Sequence, residues 1–305
     1  MDDRELIVTR GVIDGRGLGY LPDIPKTEDY TEKHPDVAKL LNETALKKQV
    51  AAAGAGGPAA LPALVDLRPS FSPVEDQGAL GSCTANAAVG LLEYFEKRAS
   101  GRYVGASRLF LYKTERDLLG WTGDTGAYLR TAMEALALFG APPERYWVYD
   151  PRPASSNTHY DVEPPAFCYA FGANYQAIKY FRLDGPGTTA TQTLANIRTF
   201  LAGGFPSMFG FPVYPEYDHT LPSALIAYPA LSSRSRGGHA NVAAGYDDNL
   251  MIGGDKGALL VRNSWGTGWA NAGYGWLSYK YVTQGLANDW WTMISSKWVD
   301  TGNFA

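Results

Sequence analysis

The chain of 305 residues predicts an α+β fold of two lobes, a helical lobe over about residues 70–165 and an antiparallel β-sheet or barrel lobe over about 166–290, with a cleft between them. Helical spacing of apolar residues dominates from residue 70 to about 150, and strand-like runs dominate from about 165 onward. With 45% hydrophobic and 19% charged residues, the chain can bury one large core or two moderate ones.

Residues 1–61 differ in texture from the rest. Gly15–Pro25 should be extended, because its prolines disfavour helix in their predecessors and its glycines permit close backbone approach. A helix follows over Pro35–Val50, with Val37, Leu40, Leu41 and Leu46 on one face, and then an Ala/Gly linker over Ala51–Ala60. In the helical lobe, Ala85, Ala88, Leu92 and Phe95 recur at helical spacing after Cys83. Ser107–Leu119 and Tyr128–Phe139 form two further helices, the last closed by Gly140 ahead of Pro142 and Pro143. The second lobe reads as strands over Phe205–Val213, His239–Tyr246, Ala258–Asn263 and Tyr274–Tyr279, with one helix over Thr189–Leu201 and a hairpin turn at Gly253–Gly257. Cys168 reads as a buried thiol in a strand.

Composition narrows the function classes. Twenty-seven basic against 31 acidic residues leave a net charge of −4 with no basic stripe, so nucleic acid is not expected as a principal partner. No run approaches 18 apolar residues, and Met1-Asp-Asp-Arg-Glu5 opens acidic without a hydrophobic signal segment. The expectation is no membrane association and cytoplasmic residence by default, with export by another route left open. Two cysteines and four histidines are scattered without Cys-x-x-Cys or His-x-x-x-His spacing, so neither a disulfide framework, nor a metal, nor any cofactor is expected. The glycines of Gly11–Gly19 do not match a phosphate loop.

The chemistry centres on Gln77-Gly-Ala-Leu-Gly-Ser-Cys83-Thr84-Ala85-Asn86. Cys83 in a first helical turn meets unpaired N–H groups and the positive end of the helix dipole, both of which favour thiolate. The dipole supplies only about 0.3–1 kcal/mol, less than one pKa unit, so a cationic partner is needed. Of the histidines, His34 lies in a charged stretch, and His159 and His219 lie in loops; His239 alone opens a strand-like run, after Gly237-Gly238, in a rigid place for a general base. Asn263 ends an apolar run and can offer its amide oxygen to a ring N–H, while Trp265 screens that bond from water.

Gln77, the Gly-Ser-Cys83 helix start, Gly238-His239-Ala240 and Asn263-Ser-Trp-Gly266, in this order, resemble the papain-like cysteine peptidases, most of all their short bacterial members. Val65-Asp-Leu-Arg68, Gly126 and Gly210-Phe-Pro-Val-Tyr214 extend the likeness over about residues 62–285. The resemblance implies a papain-like peptidase domain over 62–305 acting on peptide or protein substrates. It assigns Cys83 as nucleophile, His239 as proton shuttle, Asn263 as the residue that orients the histidine and Gln77 as an oxyanion donor. It places Gly126, where peptide backbone pairs with the enzyme, together with Ala240, Gly210 and Trp265, along the substrate side. Residues 1–61, too short for the long helical prodomains of many relatives, read from their own texture either as a solvated tail or as a short pro-like segment, the enzyme's own N-terminus covering its cleft and restraining an endopeptidase. Leu80 stands where the family pattern has a cysteine and Thr84 where it has a tryptophan. His239 and Asn263 follow Cys83 by 156 and 180 residues, against about 130–150 in the pattern, the extra length lying partly in Tyr217–Gly238. The alternatives are a catalytically silent binding protein of the same fold, or an aminopeptidase or acyltransferase.

Overall fold

Small side chains decide where the first long helix can go. In the computed structural model, described over residues 11–13, 15–47, 61–151, 160–172, 178–218 and 223–304, the helix α2 (Cys83–Ser100) begins at Cys83 and is buried continuously from Cys83 to Phe95. Alanines and Gly90 on its surface permit that depth, and Gly101 in the left-handed region closes it. Two amphipathic helices pack on it, α3 (Arg108–Leu118), capped by the Ser107 hydroxyl, and α4 (Leu129–Phe139), ended by Gly140. Its other side lies against the sheet.

That sheet runs in the order β6 (Ile178–Arg182), β12 (Asn288–Ser295), β7 (Ser207–Pro212), β9 (Gly238–Ile252), β10 (Asp255–Arg262), β11 (Tyr274–Ser278) and β8 (Leu225–Ile226), with β4 (Leu64–Asp66) also paired to β9. Every pairing is antiparallel except β8 with β11. The path stays open, so of the two forms expected for this lobe the sheet is present and the closed barrel is not. Gly253 and Gly254, both at positive φ, turn the β9–β10 hairpin as their spacing predicts. The hairpin is not regular: Arg262 faces Val242 and Val261 faces Ala243, but Leu260 faces Gly245. Ala244 is therefore an extra residue on β9, and its carbonyl accepts the N–H of Leu67, 2.9 Å away. The helix α6 (Ala190–Ala202) starts at a Thr189/Gln192 capping box and packs on β9.

Two sequence expectations fail for local reasons. The helix expected over Pro35–Val50 stops as α1 (Pro35–Leu41): the Thr44 hydroxyl takes the Leu41 carbonyl at 2.7 Å, and the Ala45 N–H turns away to Phe304 O at 2.7 Å. Cys168 is buried but sits in the short helix α5 (Ala166–Gly172), not a strand. Pro165 just ahead of it leaves a carbonyl that accepts the Cys168 N–H, which is a helix start. The linker over residues 51–60, His159 and His219 lie outside the described residues.

The N-terminal stretch is extended as expected, with one reversal. Strands β1 (Gly11–Ile13) and β2 (Arg16–Leu18) form a hairpin around Gly15, and β3 (Tyr20–Leu21) pairs in parallel with β5 (Ala127–Tyr128). Beyond β3 the chain is held by charge. Arg130 binds the carboxylates of Asp23 and Asp29, and fully buried Arg182 reaches Asp29 at 3.5 Å, Asp184 at 3.0 Å and Asp289 at 3.1 Å. Among the described residues no helix is long and apolar enough to cross a membrane.

Candidate active site

The start of α2, the loop before it, strand β9 and the end of β10 bring the four expected residues into one buried region, although His239 stands 156 positions after Cys83. Asn263 Oδ1 accepts the backbone N–H of Ser264 at 2.7 Å, which fixes the orientation of its amide. The same oxygen lies 2.8 Å from His239 Nε2. Nε2 must then carry a proton and donate it, leaving Nδ1 with a free lone pair; that nitrogen is buried without a hydrogen-bond partner. Trp265 stacks on the imidazole, with ring centroids 4.7 Å apart, and Tyr217 and Trp269 complete an aromatic wall around the His239–Asn263 bond. Water is kept from that bond, as the position of Trp265 suggested.

Gln77 is held from both ends. Its N–H donates to Ser264 O at 2.8 Å, its Oε1 accepts the Ser264 hydroxyl at 2.5 Å, and its Nε2 donates to Leu80 O at 2.8 Å and Gly17 O at 2.9 Å. One of the two amide donors thus points at a backbone carbonyl of the N-terminal stretch. The neighbouring backbone is engaged as well: Gly17 N–H donates to Gly78 O, and Ala127 N–H donates to Gly19 O, both at 2.9 Å. Gly126 lies so close to Gly19 that a Cβ there would sit 2.2 Å from the Gly19 carbonyl oxygen. Gly210 and Ala240 are cross-strand partners on β7 and β9, and Gly210 packs directly on the Tyr20 ring.

Burial dominates the electrostatics. Cys83 is wholly inaccessible, which pushes its thiol up to about 12, against opposing hydrogen bonds to the backbone at Ala240, Gly19 and Thr84. His239 is held down at about 4, first by burial and then by the Arg16 guanidinium nearby, with the Asn263 bond opposing. Arg16 itself lies over the Trp265 ring, 5.3 Å from its centroid. At neutral pH the thiol and imidazole are therefore both uncharged in this state, in place of the thiolate paired with His239 that the sequence leads one to expect. The desolvation cost of several pKa units outweighs a dipole worth less than one.

Three supporting residues escaped the sequence. Asp124 Oδ1 accepts the Gly81 N–H at 2.9 Å and the Tyr112 hydroxyl at 2.5 Å, and Gly126 N–H donates to that hydroxyl at 3.1 Å. This ties the loop before Cys83 to Gly126. Tyr149 donates its hydroxyl to Gln77 O at 2.9 Å and meets the Ser82 hydroxyl at 2.5 Å, bracing the other side. Asp124 lies within the Gly123-Asp-Thr-Gly126 run already noted for its glycine; Tyr112 and Tyr149 carry no local signal.

A family model described as papain family cysteine protease matches residues 61–293. The chain is 35% identical over 234 residues to an uncharacterized peptidase C1-like protein of Acanthamoeba polyphaga mimivirus, spanning 75% of this chain and 71% of that one. It is 29% identical over 234 residues to cathepsin K of Gallus gallus, spanning 74% of this chain and 62% of that protein. The crystal structure of xylellain, a cysteine protease from Xylella fastidiosa, matches with a TM-score of 0.74 at 30% identity, over 95% of this chain and all but 1% of that one (99%). The bromelain protease of Ananas comosus, at 19% identity and a TM-score of 0.54, shares the fold over 77% of this chain and 100% of that one. The chain belongs to the papain family of cysteine proteases, and is a cysteine-type peptidase.

Proposed function

We propose that the chain is an endopeptidase in which Cys83 is the nucleophile, His239 the general acid and base, Asn263 the group that orients the imidazole, and Gln77 an oxyanion donor. The observation that carries this is the His239–Asn263 pair: a donor at Nε2 tied to a fixed acceptor, and a free lone pair at Nδ1. The thiol proton passes to Nδ1 as sulfur adds to the scissile carbonyl, and the developing oxyanion receives the Gln77 amide and the Cys83 N–H. Collapse breaks the C–N bond, the imidazolium protonates the departing amine, and a thioester remains. Water then gives its proton to His239 as its oxygen adds to the thioester carbon, and the C–S bond breaks to release the acid.

The same proposal takes residues 16–21 as lying along the substrate cleft and restraining the enzyme. Support comes from Gln77, whose outward donor is spent on Gly17 O, and from Ala127, whose N–H is spent on Gly19 O. Both are groups a peptide substrate needs. A domain boundary near residue 61 and the substrate-side placement of Gly126, Ala240, Gly210 and Trp265 belong to this proposal. A non-catalytic binding protein of the same fold would share the neutral, covered Cys83, and one experiment separates the two. A peptide epoxide should label Cys83 and not Cys168, faster in a chain lacking residues 1–21 than in the full-length chain, and Cys83→Ala should abolish peptide hydrolysis while Cys168→Ala leaves it near wild type. Labelling at Cys168, or hydrolysis surviving in Cys83→Ala, refutes the assignment.

A further inference from the structure

Tyr20 is almost entirely buried, although it belongs to a strand of two residues at the margin of the fold. Its ring fills a pocket whose wall is Gly210: a Cβ at that position would sit 1.9 Å from Tyr20 Cζ, so only glycine admits an aromatic ring there. At the pocket end the Tyr20 hydroxyl donates to Asn288 Oδ1 at 2.9 Å. Asn288 is the cross-strand partner of Gly210, and the register of β12 against β7 breaks just after it.

The break is built and braced. Asp289 has a φ of 61°, a strained value for a residue with a side chain. The N–H groups of Asp289 and Trp290 both donate to the Asp184 carboxylate, at 2.7 and 3.0 Å, and Asp289 is pinned by Trp291 Nε1 at 2.7 Å and by Arg182. A strained backbone over-determined by four contacts fixes where the Asn288 amide stands. The pocket therefore offers an aromatic-sized slot with one polar group at its far end.

We propose that Asn288 is a specificity-determining residue that makes the slot beside Gly210 select a hydroxyl-bearing aromatic side chain, so that tyrosine in a peptide substrate is preferred over phenylalanine at the position entering it. The inference rests on the reading that residues 16–21 lie along the substrate cleft, with Tyr20 standing where the substrate's side chain goes. Phenylalanine makes the same apolar contacts but leaves the Asn288 amide short of a partner. Because Asn288 is half-buried rather than sealed, the discrimination should be about five- to tenfold, well short of that at a fully dry hydroxyl site.

The test compares kcat/KM for peptide pairs carrying tyrosine or phenylalanine at each position in turn, with the full-length enzyme. The N-terminal segment competes equally with both members of a pair, so it cancels from the ratio. One position should favour tyrosine about five- to tenfold, and in Asn288→Leu that ratio should fall to about one. In parallel, binding of a Gly-Leu-Gly-Tyr-Leu-Pro peptide and its phenylalanine analogue to full-length Tyr20→Ala is followed by titration calorimetry, which needs no turnover. The tyrosine peptide should bind more tightly by the same factor. Equal binding of the two peptides, no position preferring tyrosine, or a preference that persists in Asn288→Leu overturns the proposal. If Tyr20→Ala raises kcat/KM for every substrate but tyrosine is not preferred, the specificity inference alone falls. If neither peptide binds Tyr20→Ala and kcat/KM is unmoved by that substitution, the cleft reading falls with it.

Discussion

Removing residues 1–21 should make Cys83 reactive by roughly three orders of magnitude. The cut spares Asp23 and Asp29, so Arg130 and Arg182 keep their carboxylates; a cut at Tyr30 would strip Arg130 of both and risk the fold. With the thiol at about 12, the thiolate fraction at pH 7 is about one in 10⁵. A thiol near its ordinary value of about 8.5 is a few per cent thiolate at that pH, which sets the upper bound of the gain at about 3,000-fold; loss of the Gly19 hydrogen bond, which favours the thiolate, subtracts from it. Loss of Arg16 works toward the gain, since its charge helps to hold the imidazole neutral beside the sulfur. The assay is the second-order rate of alkylation by iodoacetamide at pH 7, read residue by residue by mass spectrometry, with Cys168 as the internal control. Full-length protein should also show a rate that keeps rising tenfold per pH unit through pH 9, as a thiol titrating near 12 requires. A trimmed chain that retains its circular dichroism and a cooperative melt, yet alkylates at Cys83 within tenfold of the full-length rate, refutes the idea that the segment suppresses the thiolate.

Other perturbations probe different parts of the site. Gln77→Ala should lower kcat roughly 10²-fold with a smaller effect on KM, because the lost donor matters chiefly as charge develops; an unchanged kcat in folded protein removes the glutamine from the oxyanion site. His239 is held at about 4 in the fold but protonates near 6.5 when unfolded, so the unfolded chain binds more protons between those values. Stability should therefore fall as pH drops from about 6.5 toward 4, and thermal melts at pH 7 and 4.5 should show a smaller acid-induced drop in Tm for His239→Gln than for wild type; equal drops refute the burial of a neutral imidazole. Arg182→Met should cost about 3–5 kcal/mol in urea unfolding, since it leaves the Asp289 carboxyl buried without its cation; a loss under 1 kcal/mol shows that Asp289 is already protonated and independent of the arginine.

Much of the site was legible because its signals are local. A helix that starts at Cys83, a glycine turn between two strands and a histidine opening a strand are each written within about ten residues. The pairing of His239 with Asn263 followed because no other histidine sat on a regular element next to a partner. Long-range terms stayed hidden. Nothing near Tyr20 announces that its ring will meet Gly210 and its hydroxyl Asn288, 268 residues away. The Arg130 and Arg182 ion pairs with Asp23 and Asp29 are likewise products of folding, not of pattern. The neutral state of Cys83 stayed hidden for a related reason: a helix start and a histidine partner can be read from sequence, whereas desolvation depends on what the rest of the chain lays over the thiol. The helix that ends early at Leu41 was lost to a single hydroxyl and to a carbonyl at Phe304, the second of which is invisible at that distance in sequence.

Ala244 has a bearing on catalysis that its plain side chain conceals. Strand side chains alternate between faces, so the count of residues between two points on a hairpin decides whether they look the same way. With Ala244 in place, Val242 stands opposite Arg262, and continuing that register puts Asn241 opposite Asn263 and His239 two steps further on, on the matching face. Were Ala244 paired in the ladder instead of bulging from it, the pairing seen beyond it, Leu260 with Gly245, would carry through the hairpin and set Val242 opposite Asn263. The strands would still zip together, but the imidazole would be turned to the opposite side of the ribbon from the amide that steadies it. The parity of the hairpin, odd or even, thus decides whether His239 can meet Asn263, and it is stored in the bulge at Ala244 rather than in any side chain of the site.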